Sequence, residues 1–171
     1  NKSLKDLKKI KTGVYTDHKN TKSIPNFKEL MSAIPNNIFL NIELKTEAWY
    51  DLKSVRILDR YRKEGWLKRN YLVSSFNPLL VFYIRYFTKL DRVAFLVMYR
   101  DWLWLVNWIH PDALHPSAEL LNEEIISFCK KKKIAINTWT VNNLSAIKHC
   151  LKLKVDGIIT DIDKPLLFKD L

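Results

Sequence analysis

The sequence predicts an α/β protein built on a parallel sheet. Short β-branched or apolar runs alternate with longer helical patterns six times along the chain. Most of those runs are continuously apolar, as strands covered on both faces require. Only three glycines punctuate the 171 residues. None forms the glycine-rich turn that normally follows the first strand of an open doubly wound sheet.

In order, a helix over Asn26–Ile34 comes first, with Asn26 as its cap and Glu29 three residues on. The strands follow at Ile38–Leu44, Tyr71–Phe76, Val93–Met98, Asp112–His115, Ile134–Thr140 and Asp156–Thr160. Helical patterns at Thr46–Glu64, Pro78–Lys89, Asp101–Ile109, Glu119–Lys132 and Leu144–Leu153 separate them. Two architectures fit, an open doubly wound sheet and a closed barrel. A barrel of eight β/α units typically takes about 250 residues. Six units are readable here, so a barrel reading implies an incomplete (β/α)8 barrel whose first two strands are missing, at about 30 residues or more per unit. No repeat, low-complexity stretch or linker divides the chain, and residues 1–171 read as one partial barrel domain.

Apolar residues make up 47% of the chain, enough for one sizeable core. The net charge of +11 favours anionic partners: nucleic acid, an acidic membrane surface or a phosphorylated small molecule. Lys and Arg are spread from Lys2 to Lys169, without the clustered basic face and interleaved aromatics of a nucleic-acid module. No nucleic-acid partner is expected. The single run Lys130–Lys133 reads as a solvated helix end, where the dipole favours cations. Cys129 and Cys150 lack metal-ligand spacing and read as two buried free thiols, with a disulfide between them as the alternative. The longest apolar run, Leu79–Ile84, is too short to span a bilayer. Because the chain begins Asn1-Lys2-Ser3, the lack of a leader says nothing about compartment.

In an α/β fold, functional groups gather at the carboxyl ends of the strands. The first strand ends Asn41-Ile42-Glu43-Leu44-Lys45, and alternation puts Asn41, Glu43 and Lys45 on one face. Glu43 and Lys45 there form either a simple ion pair or an anion site, with a carboxylate for a divalent cation and an ammonium for phosphate oxygens. The other strand ends offer Ser74-Ser75-Phe76, Leu114-His115-Pro116, Thr138-Trp139-Thr140-Val141-Asn142 and Ile159-Thr160-Asp161. Asn142 reads first as a helix cap, Trp139 as packing, and His115 as a histidine bonded to its local backbone.

Taken in order, Asn-Ile-Glu-Leu-Lys, Ser-Ser-Phe, Trp-Thr-Val-Asn and Asp-Gly-Ile-Ile-Thr-Asp resemble the glycerophosphodiester phosphodiesterase family, as does Ile24-Pro25-Asn26-Phe27-Lys28-Glu29-Leu30 upstream. The resemblance runs from about Leu7 to Asp161. It implies a TIM-type barrel and a metal-dependent phosphoric diester hydrolase that cleaves glycerophosphodiesters to glycerol 3-phosphate and an alcohol. It also implies a divalent cation (Ca or Mg). By the resemblance Glu43 is a metal ligand and Lys45 a catalytic residue on the substrate phosphate. Trp139 packs on the glycerol moiety, and Phe76 belongs to a second wall. His115 is expected as a pocket contact rather than a substitute acid or base.

The chain departs from that family at its start. The His-Arg-Gly, Glu-x-Asp and His-Asp motifs are absent, and His18, His110, His115 and His149 stand in other contexts. Little or no turnover is therefore expected of these residues alone. The alternative is a non-catalytic barrel remnant that binds phosphorylated lipid head groups. A related phospholipase of the same barrel type explains Trp-Thr-Val-Asn less well.

The segment Trp102–Ile109 is apolar nearly all round, which implies deep burial or contact with something else. As a helix from Asp101 it is roughly 14 Å long, too short to cross a membrane. It reads either as packing against the barrel and a neighbouring loop, or as a peripheral membrane contact in which Arg100 meets anionic lipid.

Overall fold

The structure is a computed structural model that describes residues 3–12, 21–46, 48–67, 70–90 and 92–162. A five-residue helix, α1 (Leu4–Lys8), opens it, with Ser3 and Asp6 forming a reciprocal capping box. A two-stranded antiparallel ladder follows, β1 (Lys11–Thr12) with β2 (Lys22–Ser23). Neither is signalled by hydrophobic periodicity, because their residues are exposed or only half-buried. Helix α2 (Phe27–Ala33) starts where its cap predicts: the Asn26 side chain accepts from Glu29 N, and Glu29 reaches back to Asn26 N.

The strand–helix alternation then builds β3 (Leu40–Glu43), α3 (Lys53–Lys63), β4 (Tyr71–Ser75), α4 (Pro78–Phe87) and β5 (Val93–Val97). A 3-10 turn (Arg100–Leu105), α5 (Val106–Ile109) and β6 (Ala113–Pro116) come next. The remainder is a second 3-10 turn (Ala118–Leu120), α6 (Glu123–Lys132), β7 (Ala135–Thr138), α7 (Leu144–Leu153) and β8 (Gly157–Ile158).

All six strands from β3 to β8 are parallel and lie in chain order. A doubly wound sheet reverses its strand order at a switch point and covers both faces with helices. Here the order never reverses. One continuous core joins Val73, Phe95, Leu114 and Ile136 of the sheet to Leu80, Val81, Ile84, Ile125 and Ile147 of the helices. The opposite face carries a second, smaller cluster of Leu72, Ala94 and Ala113, with Ala135 against it. Helices on one side and small residues on the other are the layers of a barrel wall, and the strands form an arc of such a wall.

Register defines two rows across the inner face. Glu43, Ser74, Ala94, Ala113 and Ala135 are successive partners, and two residues higher Leu96 partners His115 and Asn137 partners Gly157. At the opposite rim, Asp112 accepts from Val93 N at 2.9 Å and Asp156 from Ile136 N at 2.8 Å. Each carboxylate thus ties the start of one strand to its neighbour.

Four sequence expectations change. Helix α3 begins at Lys53, not Thr46, because Asp51 Oδ1 accepts from Lys53 N at 2.8 Å and the preceding residues form a loop. The segment expected as one helix over Asp101–Ile109 is a 3-10 turn followed by α5. Leu103 of the turn and Val106 and Ile109 of α5, spaced three apart, pack into the core. Helix α6 begins at Glu123 rather than Glu119, capped by the Asn122 side chain at 3.0 Å from Ile125 N. Asn143, not Asn142, caps α7. Asn142 instead donates to Asp161 Oδ2 at 2.9 Å and accepts from Asp161 N at 2.9 Å and Thr160 Oγ1 at 3.1 Å.

Candidate functional site

A cleft of about 440 Å³ opens at the carboxyl ends of β3 and β4. Leu44, Lys45, Thr46, Trp49, Ser75, Phe76, Asn77, Pro78 and Trp102 line it. Alternation along β3 sets up its first wall: Leu40, Ile42 and Leu44 pack against the core, while Asn41 and Glu43 stay on the inner face. Lys45 Nζ lies 3.6 Å from Glu43 Oε1. The lysine side chain is 81% exposed and the glutamate 33%, so the ammonium reaches freely into the opening. An exposed pair at that distance contributes little to stability. Beside Glu43 in the ladder, the Ser74 hydroxyl is buried without a hydrogen-bond partner.

Asn77 organises the second wall. Its Oδ1 accepts from Leu79 N and Leu80 N at 3.1 and 3.3 Å, capping α4 ahead of Pro78. Its Nδ2 donates to Trp49 O at 2.7 Å and Thr46 Oγ1 at 3.1 Å, holding the loop after β3 against that helix. Ser75 Oγ donates to Leu44 O at 2.7 Å, so β3 and β4 are clasped where the cleft begins.

Phe76 meets Trp139 edge to face, with centroids 5.3 Å apart and planes at 88°. Strands β5 and β6 lie between their elements. In a flat sheet three strand spacings would separate the two side chains by about 14 Å. Curvature of the arc closes that gap over the concave face. Trp139 is anchored from β6, its Nε1 donating to His115 O at 2.8 Å and its backbone N to Pro116 O at 3.2 Å.

His115 is 1% exposed and is not among the residues lining the cleft. Asn137 Nδ2 lies 2.9 Å from His115 Nε2. With the amide donating, the ring proton sits on Nδ1, which is buried without a partner. Burial pushes the imidazole down to about 4. At neutral pH it is an uncharged prop beneath Trp139. Gly157 makes room for this arrangement: a Cβ there would meet Asn137 Oδ1 at 2.4 Å.

The structure therefore places Lys45 and Phe76 on one cleft, with Glu43 beside Lys45, Trp139 against Phe76 and His115 beneath Trp139; Glu43, Trp139 and His115 do not themselves line it. Thr46, Trp49 and Asn77 also line the cleft and were not singled out by sequence reasoning, and Trp102, singled out only as part of an apolar segment, joins them. Asn77 was legible as an Asn directly before a proline at the first helical position. His18 lies outside the described residues, and neither His110 nor His149 lines the cleft. Cys129 and Cys150 are free and buried, as expected. Burial, then Asp156, pushes the Cys129 thiol up to about 11, and burial also raises Cys150, so neither is a ready nucleophile.

Among the described residues no group of three or more His, Cys, Asp or Glu is placed to hold a metal ion. A hard cation such as Ca takes six to eight oxygens. Glu43 with its ladder neighbour Ser74 falls well short of that, so these residues do not make a cation site by themselves.

The family model for the glycerophosphoryl diester phosphodiesterase family matches residues 1–163. A glycerophosphodiester phosphodiesterase of Caldanaerobacter subterraneus subsp. tengcongensis is 25% identical over 170 residues, covering 96% of this chain and 70% of the relative. The solved structure of an Oleispira antarctica phosphodiesterase, in complex with the product sn-glycerol-3-phosphate, superposes with a TM-score of 0.82 at 19% identity. It covers 93% of this chain and 66% of its own. A glycerophosphodiester phosphodiesterase from Thermotoga maritima superposes with a TM-score of 0.67 at 24% identity, covering 93% and 66%. The chain thus spans just under two thirds of the length of these solved structures. The order and direction of its strands, the parallel arc and the match over nearly its whole length lead to one assignment: the chain belongs to the glycerophosphoryl diester phosphodiesterase family.

Proposed function

We propose that the protein is a glycerophosphodiester phosphodiesterase, hydrolysing its substrate to glycerol 3-phosphate and an alcohol. The observation that carries this reading is the ammonium of Lys45 sharing one cleft with Phe76, which in turn rests on Trp139. Family membership supports it, as does the product held by the Oleispira antarctica relative. In such a hydrolysis water attacks phosphorus, the P–O bond to the alcohol breaks, and the departing oxygen takes a proton. Lys45 would offset the negative charge on the phosphoryl oxygens. Phe76 and Trp139 would pack against the glycerol carbons and fix the head group's orientation.

Glu43 is proposed as one ligand of a divalent cation, Ca or Mg, whose other ligands the described residues do not supply. None of the described histidines is positioned to move the proton, so the acid and base are not assigned to them. The expectation is that these residues alone turn over little substrate. Two measurements test the reading. Isothermal titration with sn-glycerol 3-phosphate should show binding that weakens about 10- to 100-fold in Lys45→Met, equivalent to roughly 1.4–2.8 kcal/mol. Unchanged affinity would remove Lys45 from the site. In the complete protein, Glu43→Gln should lower cation affinity and the rate of glycerophosphocholine hydrolysis together. A second reading, a head-group binder without catalysis, is favoured by the cleft lacking a histidine among the described residues. Product binding with no hydrolysis by the complete protein would select it.

A further inference from the structure

Helix α4 turns Leu80, Val81 and Ile84 into the core. Apart from Arg85, which is paired with Asp112, its other side is also apolar: Phe82 is 37% exposed, Tyr86 50% and Phe87 67%. An amphipathic surface helix would carry polar residues there. The stripe continues onto the next segment. Tyr86 Oη donates to Trp108 O at 3.2 Å, and Phe82 lies against Tyr86 with centroids 4.7 Å apart. Trp104 and Trp108 are 60% and 67% exposed, so the tryptophans of that segment are not hidden against the barrel. At the other end Trp102 lines the cleft. The result is a set of exposed aromatic side chains on α4, the 3-10 turn and α5, joined where Tyr86 bonds the Trp108 backbone and reaching the cleft at Trp102; exposed apolar surface of this kind marks an interaction site.

We propose that this face docks the protein peripherally on an anionic phospholipid bilayer. Its chemistry is interfacial: Trp and Tyr pair an apolar body with a polar edge and settle at the headgroup level, whereas a protein core would favour aliphatic side chains. Charge separates the remaining occupants. A net charge of +11 draws the chain toward an acidic leaflet and opposes its association with a second copy. In sequence Lys89 follows α4 and Arg100, paired with Glu124 at 2.5 Å, precedes the tryptophan segment. Among the described residues no helix is long and apolar enough to cross a membrane, so the contact is one of surface insertion. Docking by this face places the cleft mouth at the lipid surface. The proposal rests on the exposed surface and not on hydrolysis, so each can fail without the other.

Co-sedimentation with phosphatidylcholine vesicles containing about a third phosphatidylglycerol tests it against phosphatidylcholine alone. The chain should pellet with the anionic vesicles, and the double change Trp104→Ser, Trp108→Ser should weaken partitioning at least about tenfold. Both side chains are exposed, and far-ultraviolet circular dichroism checks that the double variant stays folded. Phe87→Ser should lower partitioning independently. Lys130→Gln with Lys131→Gln, on the far end of α6, should change it less than about twofold. The proposal is overturned by no pelleting of the wild type, by unchanged pelleting of the tryptophan variant, or by an equal loss from the lysine variant. Sedimentation velocity showing a self-associated species that the tryptophan change abolishes would assign the face to a second copy instead, and overturn it as well.

Discussion

His115 shows what one residue's surroundings do to its chemistry. The unfolded chain binds its proton near 6.5, whereas the buried ring resists protonation until about 4. Between those values the unfolded state holds more protons, so stability falls as pH falls, and the whole loss is present below about 4. From about pH 7 to about pH 5 the expected loss from this group is on the order of 2 kcal/mol. Urea titrations at the two pH values should show it, and His115→Gln should flatten the difference. Gly157 acts on the same residue from the next strand but one. Gly157→Ala forces the Asn137 amide off the imidazole, so the nitrogen-15 shifts of His115 should report a changed tautomer balance. An unchanged spectrum would mean that Asn137 does not set the ring's proton. The position of Glu43 and Lys45 was legible from alternation along one strand. The burial of His115 was not, since a histidine at a strand end reads alike whether it faces the mouth or lies beneath a tryptophan.

At the scale of elements, all six parallel strands were readable, with ends within one or two residues, because continuous apolar runs have one use in an α/β fold. Helix starts were read less well. Where Asn26 and Glu29 signal a cap the start was right, and where residues 48–52 form a loop the apolar Trp49 and Tyr50 mimicked a helical stripe. That loop is held by side chains of distant residues, which no local pattern records. Asn77 is the chief of them, since one amide both caps α4 and grips the loop. Asn77→Ala should cost about 1–2 kcal/mol for the lost cap. It should also speed amide exchange in residues 48–52, and a stability loss without faster exchange would show that the loop is held otherwise.

At the scale of the whole molecule, strand order distinguishes the two architectures that composition leaves open, and order is a property of pairing rather than of any segment. Phe95, wholly buried in the central stretch of the arc, belongs to the core that all five later helices share. Phe95→Ala should cost about 3–5 kcal/mol, and a thermal melt would show it as one cooperative shift rather than the loss of a single element. The arc also has ends. Among the described residues β3 is paired on one side only, to β4, and Glu43 is its last residue. The main chain that aims this carboxylate therefore has spare donors and acceptors along its free flank. Any strand laid there would stiffen the aim of that oxygen pair as it lengthened the sheet, so the geometric exactness of a ligand and the completeness of a ladder become one variable.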